Sequence, residues 1–158
     1  MIWLIGVQVI LLFSVLSCNY RTSQLSFQHI GDVGWKATDT FRFPIDSMLD
    51  PGDYSLTVSL RTSSVHRYPF RQLVLEVTQI ETDGIVHKRD TLFCDLSQRD
   101  GEVNGRGVSV YAYDYLMDTI HLENRNHYEV SLRHLMRTSP LHGVYDVGVL
   151  VEKCHSQD

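Results

Sequence analysis

The sequence lacks the patterns of the common catalytic and cofactor sites. It contains no G-x-S-x-G nucleophile motif and no C-x-x-C redox pair, and its eight histidines show no H-x-H or H-E-x-x-H ligand spacing. Paired acidic residues in a glycosidase-like setting are missing too. We therefore expect no enzyme activity, no catalytic residue, no bound metal ion and no cofactor.

A basic character is also missing. The 14 Lys and Arg residues stand against 19 Asp and Glu residues, which gives a net charge of −5. Nucleic-acid-binding surfaces are basic because they neutralise phosphates, so we expect no nucleic-acid partner. The same balance gives no support for electrostatic attachment to anionic lipid headgroups. Any membrane attachment must therefore come from another source.

The N-terminus offers that source. No charged side chain precedes Arg21, and residues 2–16 are almost entirely apolar. Such a run has the length of a signal-peptide core and is short for a membrane-crossing helix. It ends at Ser17-Cys18, where a bacterial lipoprotein signal is cut, leaving Cys18 to carry the acyl chains. We predict this lipid anchor; ordinary cleavage after Ser17 and an uncut anchor helix are the alternatives.

Removal of the signal leaves one domain's worth of chain, large enough to bury a core without metal or disulfide crosslinks. The predicted organisation is a signal peptide at 1–17, a tether at 18–26, a single β-sandwich domain at 27–154 and a tail at 155–158. With Cys18 acylated, Cys94 and Cys154 remain. They could form a disulfide in an oxidising compartment, or stay as two separate thiols.

Alternation of apolar and polar residues dominates the mature chain, and convincing amphipathic helices are missing. Asp83-Gly84 is a strong hairpin signal between two of the alternating segments. Residues 131–138 also fit a helical face, but their neighbours favour a strand. The predicted fold is all-β, an antiparallel, jelly-roll-like β-sandwich of eight to nine strands. The strands are expected at 39–45, 54–61, 71–80, 85–94, 108–115, 118–123, 127–137 and 144–152.

Aromatic and basic residues suggest a partner surface. Tyr111, Tyr113 and Tyr115 alternate along one predicted strand. Tyrosine suits protein or sugar contacts because it joins a large ring to a hydrogen-bonding tip; a strand buried on both sides is the other interpretation. The second candidate segment is 66–71, which could instead form a structural corner around its proline. The candidate partner surface comprises Arg67, Tyr68, Arg71, Tyr111 and Tyr113.

Residues 100–105 (DGEVNG) resemble the first half of an oxygen-ligand calcium loop. The likeness fails at the twelfth position, where Tyr111 replaces the required bidentate carboxylate. A glycine-shaped connection between strands is therefore the favoured interpretation.

A set of characteristic stretches lies along the mature chain. They are Trp35 with 41–45, 54–61 (YSLTVSLR), 68–70 (YPF), 90–92 (DTL), 101–107, 128–130 (YEV), 136–137 (MR) and 141–148 (LHGVYDVG). Together these stretches resemble the gliding-motility lipoprotein H (GldH) family of Bacteroidetes. Order and spacing match over most of the mature chain, and the segment from Met136 to Gly148 is the most specific. One departure is Val103, near a position where family members tend to carry Trp.

The resemblance implies a lipid-anchored accessory protein of the cell envelope, associated with gliding and with type IX secretion, and without enzyme activity. Expected partners are the membrane, through the N-terminal lipid, and other envelope proteins. The lack of an acidic run after Cys18 favours a periplasm-facing position, on either the inner or the outer membrane. A glycan-binding β-sandwich lipoprotein is the alternative, and it would require a flat face bearing exposed tyrosines.

Overall fold

The computed structural model describes residues 22–47, 49–64, 67–81, 84–123 and 127–154. Within them the chain forms eight β-strands and no helix. The expected signal peptide, Cys18 and the tail at 155–158 lie outside these ranges, and β1 begins inside the range expected for the tether. The strands are β1 (Ser23–His29), β2 (Phe41–Ile45), β3 (Gly52–Ser63), β4 (Gln72–Glu81), β5 (Val86–Asp95), β6 (Val110–Leu122), β7 (Tyr128–His134) and β8 (Val144–Lys153).

The strands form two four-stranded sheets that face each other. Sheet 1 has the order β1-β8-β3-β6, and sheet 2 has the order β2-β7-β4-β5. All six strand pairings are antiparallel. This is the strand order of an eight-stranded jelly roll. The predicted antiparallel, jelly-roll-like sandwich is therefore confirmed.

Alternating residues build the core between the sheets. In β3 the inward row Tyr54, Leu56, Val58 and Leu60 is fully buried, as the period of two predicts. The inward rows of β4 and β7 pack against this row from sheet 2, and the inward row of β8 lies beside it in sheet 1. Each such side chain contributes about 1.5–3 kcal/mol on burial. The facing core residues from sheet 2 include Leu73, Leu75, Val77, Val130 and Leu132, and the neighbouring ones from β8 in sheet 1 are Val147, Val149 and Val151.

β6 corrects the prediction of two separate strands at 108–115 and 118–123. It is one strand of thirteen residues with a β-bulge, because Leu56 pairs with Asp118 while Thr57 pairs with Leu116. Met117 is the extra residue. Tyr113 and Tyr115 point inward before the bulge, and even-numbered residues such as Ile120 do so after it. This change of phase makes one strand resemble two.

β7 settles the ambiguous stretch at 131–138 in favour of a strand. It pairs with β2 on one side and β4 on the other, so its backbone is used on both edges. Val130 and Leu132 are buried, whereas Leu135, beyond the end of the strand, is 42% exposed. The helical pattern at 132, 135 and 136 therefore arises from a strand followed by a loop.

The segment before β2 closes one side of the core with Trp35, which is fully buried. Trp35 exchanges two backbone hydrogen bonds with Leu141, at 2.9 and 2.7 Å, and its indole N–H donates to the Asp39 carbonyl. Gly34 precedes it with φ +78°, and a Cβ there would lie 2.9 Å from the His142 ring. Only glycine fits this turn without strain.

The two ends of the sandwich are distinct. Ser23 pairs with Glu152, Glu152 with Ser55, and Ser55 with Thr119, so the chain enters at the end where β3 starts and β6 ends. We call this the entry end, and the other, where β3 ends and β4 starts, the far end. β3 has twelve residues and so spans about 36 Å. No helix in the described ranges is long and apolar enough to span a membrane.

Candidate functional site

The five residues predicted as a partner surface meet at the far end. Arg67, Tyr68, Arg71, Tyr111 and Tyr113 all line one surface depression with a volume of about 210 Å³. They come from the β3–β4 connection and the first half of β6. We call this the far-end depression. Their assembly in one place does not test whether they bind a partner, which stays a prediction.

Backbone hydrogen bonds between two connections shape the depression. The N–H groups of Leu96 and Ser97, just after β5, both donate to the Arg71 carbonyl, at 2.8 and 3.2 Å. The β5–β6 connection then folds back, because Asn104 N–H donates to the Leu96 carbonyl. A Cβ on Gly105 would lie 2.6 Å from the Tyr113 ring, so only glycine allows this approach. Gly105 is therefore required for the close contact between this loop and the Tyr113 ring.

The calcium-like stretch takes part in the same connection. Asp100 Oδ1 accepts a hydrogen bond from the Glu102 N–H at 3.0 Å, and Ser97 forms an isolated bridge with Val103. This local bond is the usual role of an Asp in a turn. It agrees with the favoured interpretation of a glycine-shaped connection.

Aromatic rings form the walls of the depression. Tyr68 and Phe70 pack edge to face with ring centroids 5.7 Å apart, and Phe70 is 37% exposed. The Tyr68 hydroxyl donates to the Gln72 carbonyl at 3.1 Å, and burial raises its pKa. Burial also raises the pKa of Tyr113, whose hydroxyl shares a hydrogen bond with Thr62. Both phenols therefore stay neutral, and their hydrogen bonds lie within the domain, from Tyr68 to β4 and between Tyr113 and β3.

The tyrosine row of β6 corrects the interpretation of a strand buried on both sides, whereas contact of its tyrosines with a partner stays a prediction. Its rings point to the core, and Tyr113 is only 7% exposed, so it forms no flat outward platform. The strand is not buried on both sides either, since Val110 and Leu116 on the outer face are 41% and 72% exposed. The flat face of exposed tyrosines that glycan binding would require is thus not formed by these residues.

The far-end depression is positively charged. Its lining contains two arginines and no acidic residue. Both arginines are exposed, and neither takes part in an ion pair among the described residues. Since the whole chain carries −5, this local excess of positive charge stands out.

The entry end has a cleft of the opposite charge. It opens between the sheets with a volume of about 300 Å³ over Ile45 and Ile120. Lys88 bridges the sheets there by pairing with Asp118, and this hydrogen bond lowers the pKa of the Asp118 carboxyl. The acidic residues in its lining are Glu81, Asp118, Glu123 and Glu129.

Cys94 and Cys154 do not form the disulfide that the sequence allows. Both are free thiols; Cys94 is buried in β5, and Cys154 is exposed after β8. Cys154 N–H donates to the Asp53 carbonyl at the entry end, whereas Cys94 pairs with Leu73 at the far end. They thus lie at opposite ends and in different sheets, beyond the reach of a disulfide.

His134 is a buried histidine that nothing in the sequence pattern singles out. It is 2% exposed and packs edge to face on Trp35, at 5.3 Å between ring centroids. Its Nδ1 accepts from the Met136 N–H at 3.3 Å, so Nε2 carries the proton and donates to the Trp35 carbonyl at 3.1 Å. Burial lowers its pKa. Neutral His134 therefore joins the Trp35 segment and the segment after β7 through two hydrogen bonds.

Phe70, Leu96 and Val103 also line the depression. Phe70 lies in the candidate segment 66–71, and Val103 stands where the family resemblance leads us to expect Trp, whereas Leu96 carried no signal in the sequence. The Val103 position lies in the far-end depression.

Comparison with solved structures gives weak likenesses. A chain of the T13 particle of infectious bursal disease virus (IBDV) is 14% identical over 85% of this chain, with a TM-score of 0.35. The Eiger TNF from S. frugiperda is 10% identical over 87% of this chain and 97% of its own length, with a TM-score of 0.34. This chain spans about a third of the viral one, 32%. Similarity at this level supports no conclusion about function.

A comparison with curated protein sequences finds no match. The family described as GldH lipoprotein matches residues 23–151, which cover the domain from the start of β1 to near the end of β8. It is not a known enzyme family, and its lipoprotein character implies a position at the membrane of the cell envelope. The family resemblance seen in the sequence is thereby confirmed, and the chain belongs to the GldH lipoprotein family.

Proposed function

We propose that the protein is a non-catalytic accessory component of a cell-envelope assembly for gliding or type IX secretion. It is held by lipid on Cys18, faces the periplasm and contacts its partner protein through the far-end depression. Family membership supports the assembly, and the sequence around Cys18 supports the anchor.

One observation carries this proposal: the start of β1, the strand nearest to Cys18 in the sequence, and the depression lie at opposite ends of the sandwich. Only four residues separate Cys18 from Ser23, the first residue of β1. A chain of that length reaches no more than about 18 Å, even when extended. The entry end therefore stays near the membrane, and the depression points away from it, toward other envelope proteins.

The chemistry of the depression suits binding rather than bond-making. Its open groups are guanidinium donors and aromatic rings, and its buried tyrosine hydroxyls are neutral and bonded within the chain. Tyrosine and arginine are enriched at the energetic centres of protein interfaces.

Photo-crosslinking in cells of the natural source tests the proposal. A benzoylphenylalanine replacing Phe70 samples the depression, and the same residue replacing Leu116 samples the exposed outer face of sheet 1. We expect Phe70 to crosslink to an envelope protein of the gliding or secretion assembly, identified by mass spectrometry, and Leu116 not to give that product. If neither position, or only Leu116, yields such a product, the proposal is wrong.

A further inference from the structure

The far-end depression has two arginines at its rim that form no ion pair with another described residue. Arg67 and Arg71 flank it, and no acidic side chain lies in its lining. Elsewhere in the described residues, arginines commonly have acidic partners, such as Arg42 with Glu129 at 2.8 Å and Arg133 with Glu76 at 3.0 Å. A carboxylate supplied from outside would complete the rim with the same kind of bond.

Below the rim, the depression is apolar. Leu96 is 2% exposed, Val103 and Tyr111 are partly buried against the core, and the Phe70 ring is open at the side. The volume of about 210 Å³ suits one large side chain rather than a folded surface. The hydroxyls of Tyr68 and Tyr113 are bonded internally, so two of the three lining tyrosines present their rings rather than open hydroxyl groups.

We infer that the far-end depression binds an extended, acidic segment of a partner protein. The segment places an aromatic or large aliphatic side chain in the depression and a neighbouring carboxylate on Arg67 and Arg71. Guanidinium groups suit this task because their planar donors match a carboxylate with two parallel hydrogen bonds. This inference rests on the proposed function and adds the chemistry of the partner.

An anionic glycan is less well matched than a peptide. Sugars stack on open aromatic faces and bond their hydroxyls to free polar tips. Here Tyr113 is 7% exposed, and the phenol groups of Tyr68 and Tyr113 are already bonded. A side chain that enters from a backbone running across the rim fits the shape better.

The test is a selection of random dodecapeptides displayed on phage against the purified full-length protein in detergent. We expect selected peptides to combine Asp or Glu with a nearby aromatic or large aliphatic residue. In fluorescence polarisation with a selected peptide, the double variant R67Q/R71Q should weaken binding about tenfold or more, because two charge-assisted hydrogen bonds are lost. R67K/R71K should keep part of the affinity, and added salt should weaken it.

The matched control is R89Q/R137Q, which removes the same charge from two exposed arginines outside the lining of the depression. It should leave the affinity within about twofold, since screened surface charges contribute little at a distance. Selection of peptides without acidic residues, or equal weakening by both double variants, would overturn the inference. So would arginine-dependent binding of polygalacturonate without peptide binding.

The two proposals fail separately. If Phe70 crosslinks an envelope protein while the selected peptides are neutral, the acidic partner is wrong and the proposed function stands. If no envelope protein crosslinks at Phe70, the proposed function is wrong whatever the peptides show.

Discussion

At the scale of single residues, burial separates the two cysteines of the domain. Cys154 is exposed, whereas burial raises the pKa of the Cys94 thiol to about 12, with a further contribution from Asp95. Thiols react as thiolates. We therefore expect N-ethylmaleimide at pH 7 to label Cys154 within minutes and Cys94 only after denaturation, as followed by intact mass. Cys154→Ser should show no fast labelling, and resistance of both thiols until reduction would contradict the free pair.

His134 gives the domain a pH dependence. Its folded-state pKa lies below the ordinary histidine value of about 6.5, because burial disfavours the charged ring. The unfolded chain then binds the proton more readily, so this contribution is complete above about pH 6.5 and is lost as the pH falls toward the lowered pKa. A proton on Nδ1 would also face the Met136 N–H.

We expect the melting temperature to fall between pH 7.5 and pH 5, and His134→Gln to flatten that fall while lowering stability at pH 7.5 by about 1–3 kcal/mol. His87→Gln is the control, because His87 is exposed on β5. The explanation is wrong if the His87 variant, and not the His134 variant, changes the slope.

Residue alternation made the inward rows predictable, and hydrogen bonding made His134 unpredictable. Leu56 and Val58 sit in a strict period-two pattern, which by itself assigns them to one face. His134 also continues the inward row of β7, but its partners come from the Trp35 segment and from Met136. A histidine with distant backbone partners looks, in sequence, like any other polar residue.

At the scale of elements, the bulge at Met117 fixes which side chains of β6 enter the core. Deleting Met117 would remove the unpaired residue and restore simple alternation, with Ile120 and Leu122, both buried, still opposite Tyr54 and Gly52 on the inner face. We therefore expect cooperative thermal unfolding and soluble expression to be kept, and loss of both would show that the fold requires the bulge itself. Deleting Arg99, in the β5–β6 connection, removes one residue from a loop and should keep the fold, as circular dichroism can show.

Edge strand β5 carries inward-pointing charges. Lys88 pairs with Asp90 at 3.0 Å and with Asp118 across the gap between the sheets. Charges in this position discourage edge-to-edge association. Replacing both Lys88 and Asp90 with Val should cause concentration-dependent oligomers, measured by light scattering. Arg89→Val, which points to the outer face of the same strand, is the control; oligomers from it alone would show that surface hydrophobicity is the cause.

The division of 108–123 into two strands shows where element prediction fails. The apolar phase changes at 117, and a sequence pattern alone cannot distinguish a bulge from a turn. The pairing partner distinguishes them, because β3 continues unbroken alongside β6. Partner strands are set by the whole fold, which the local pattern does not contain.

At the scale of the whole molecule, the jelly-roll class was predictable and the far-end depression was only partly so. Eight short alternating segments restrict the fold to few architectures. The five predicted surface residues were chosen for chemistry in two separate segments, and strand order then brought them together. Leu96 joined them through its hydrogen bond to the Arg71 carbonyl, which no local pattern records.

The proposed lipid anchor predicts that the protein is found in the membrane fraction of the cell and not in the soluble fraction. Cys18→Ser should release the protein from the membrane fraction, because the domain itself carries net negative charge and its described residues form no spanning helix. Fractionation with immunoblotting measures this, and metabolic labelling with an alkyne fatty acid should mark the wild type alone. Cys154→Ser should stay with the membrane. Membrane retention of the Cys18 variant would contradict lipid as the sole attachment.

The pairing of β1 with β8 has a mechanical consequence. β1 is the strand joined to the proposed anchor, and all seven of its residues pair with β8 in sequence. Tension between the membrane and a partner held at the far end would run along the strands. Such a load shears seven residue pairs at once instead of peeling them one by one, which is the stronger arrangement for a part that transmits pulling force.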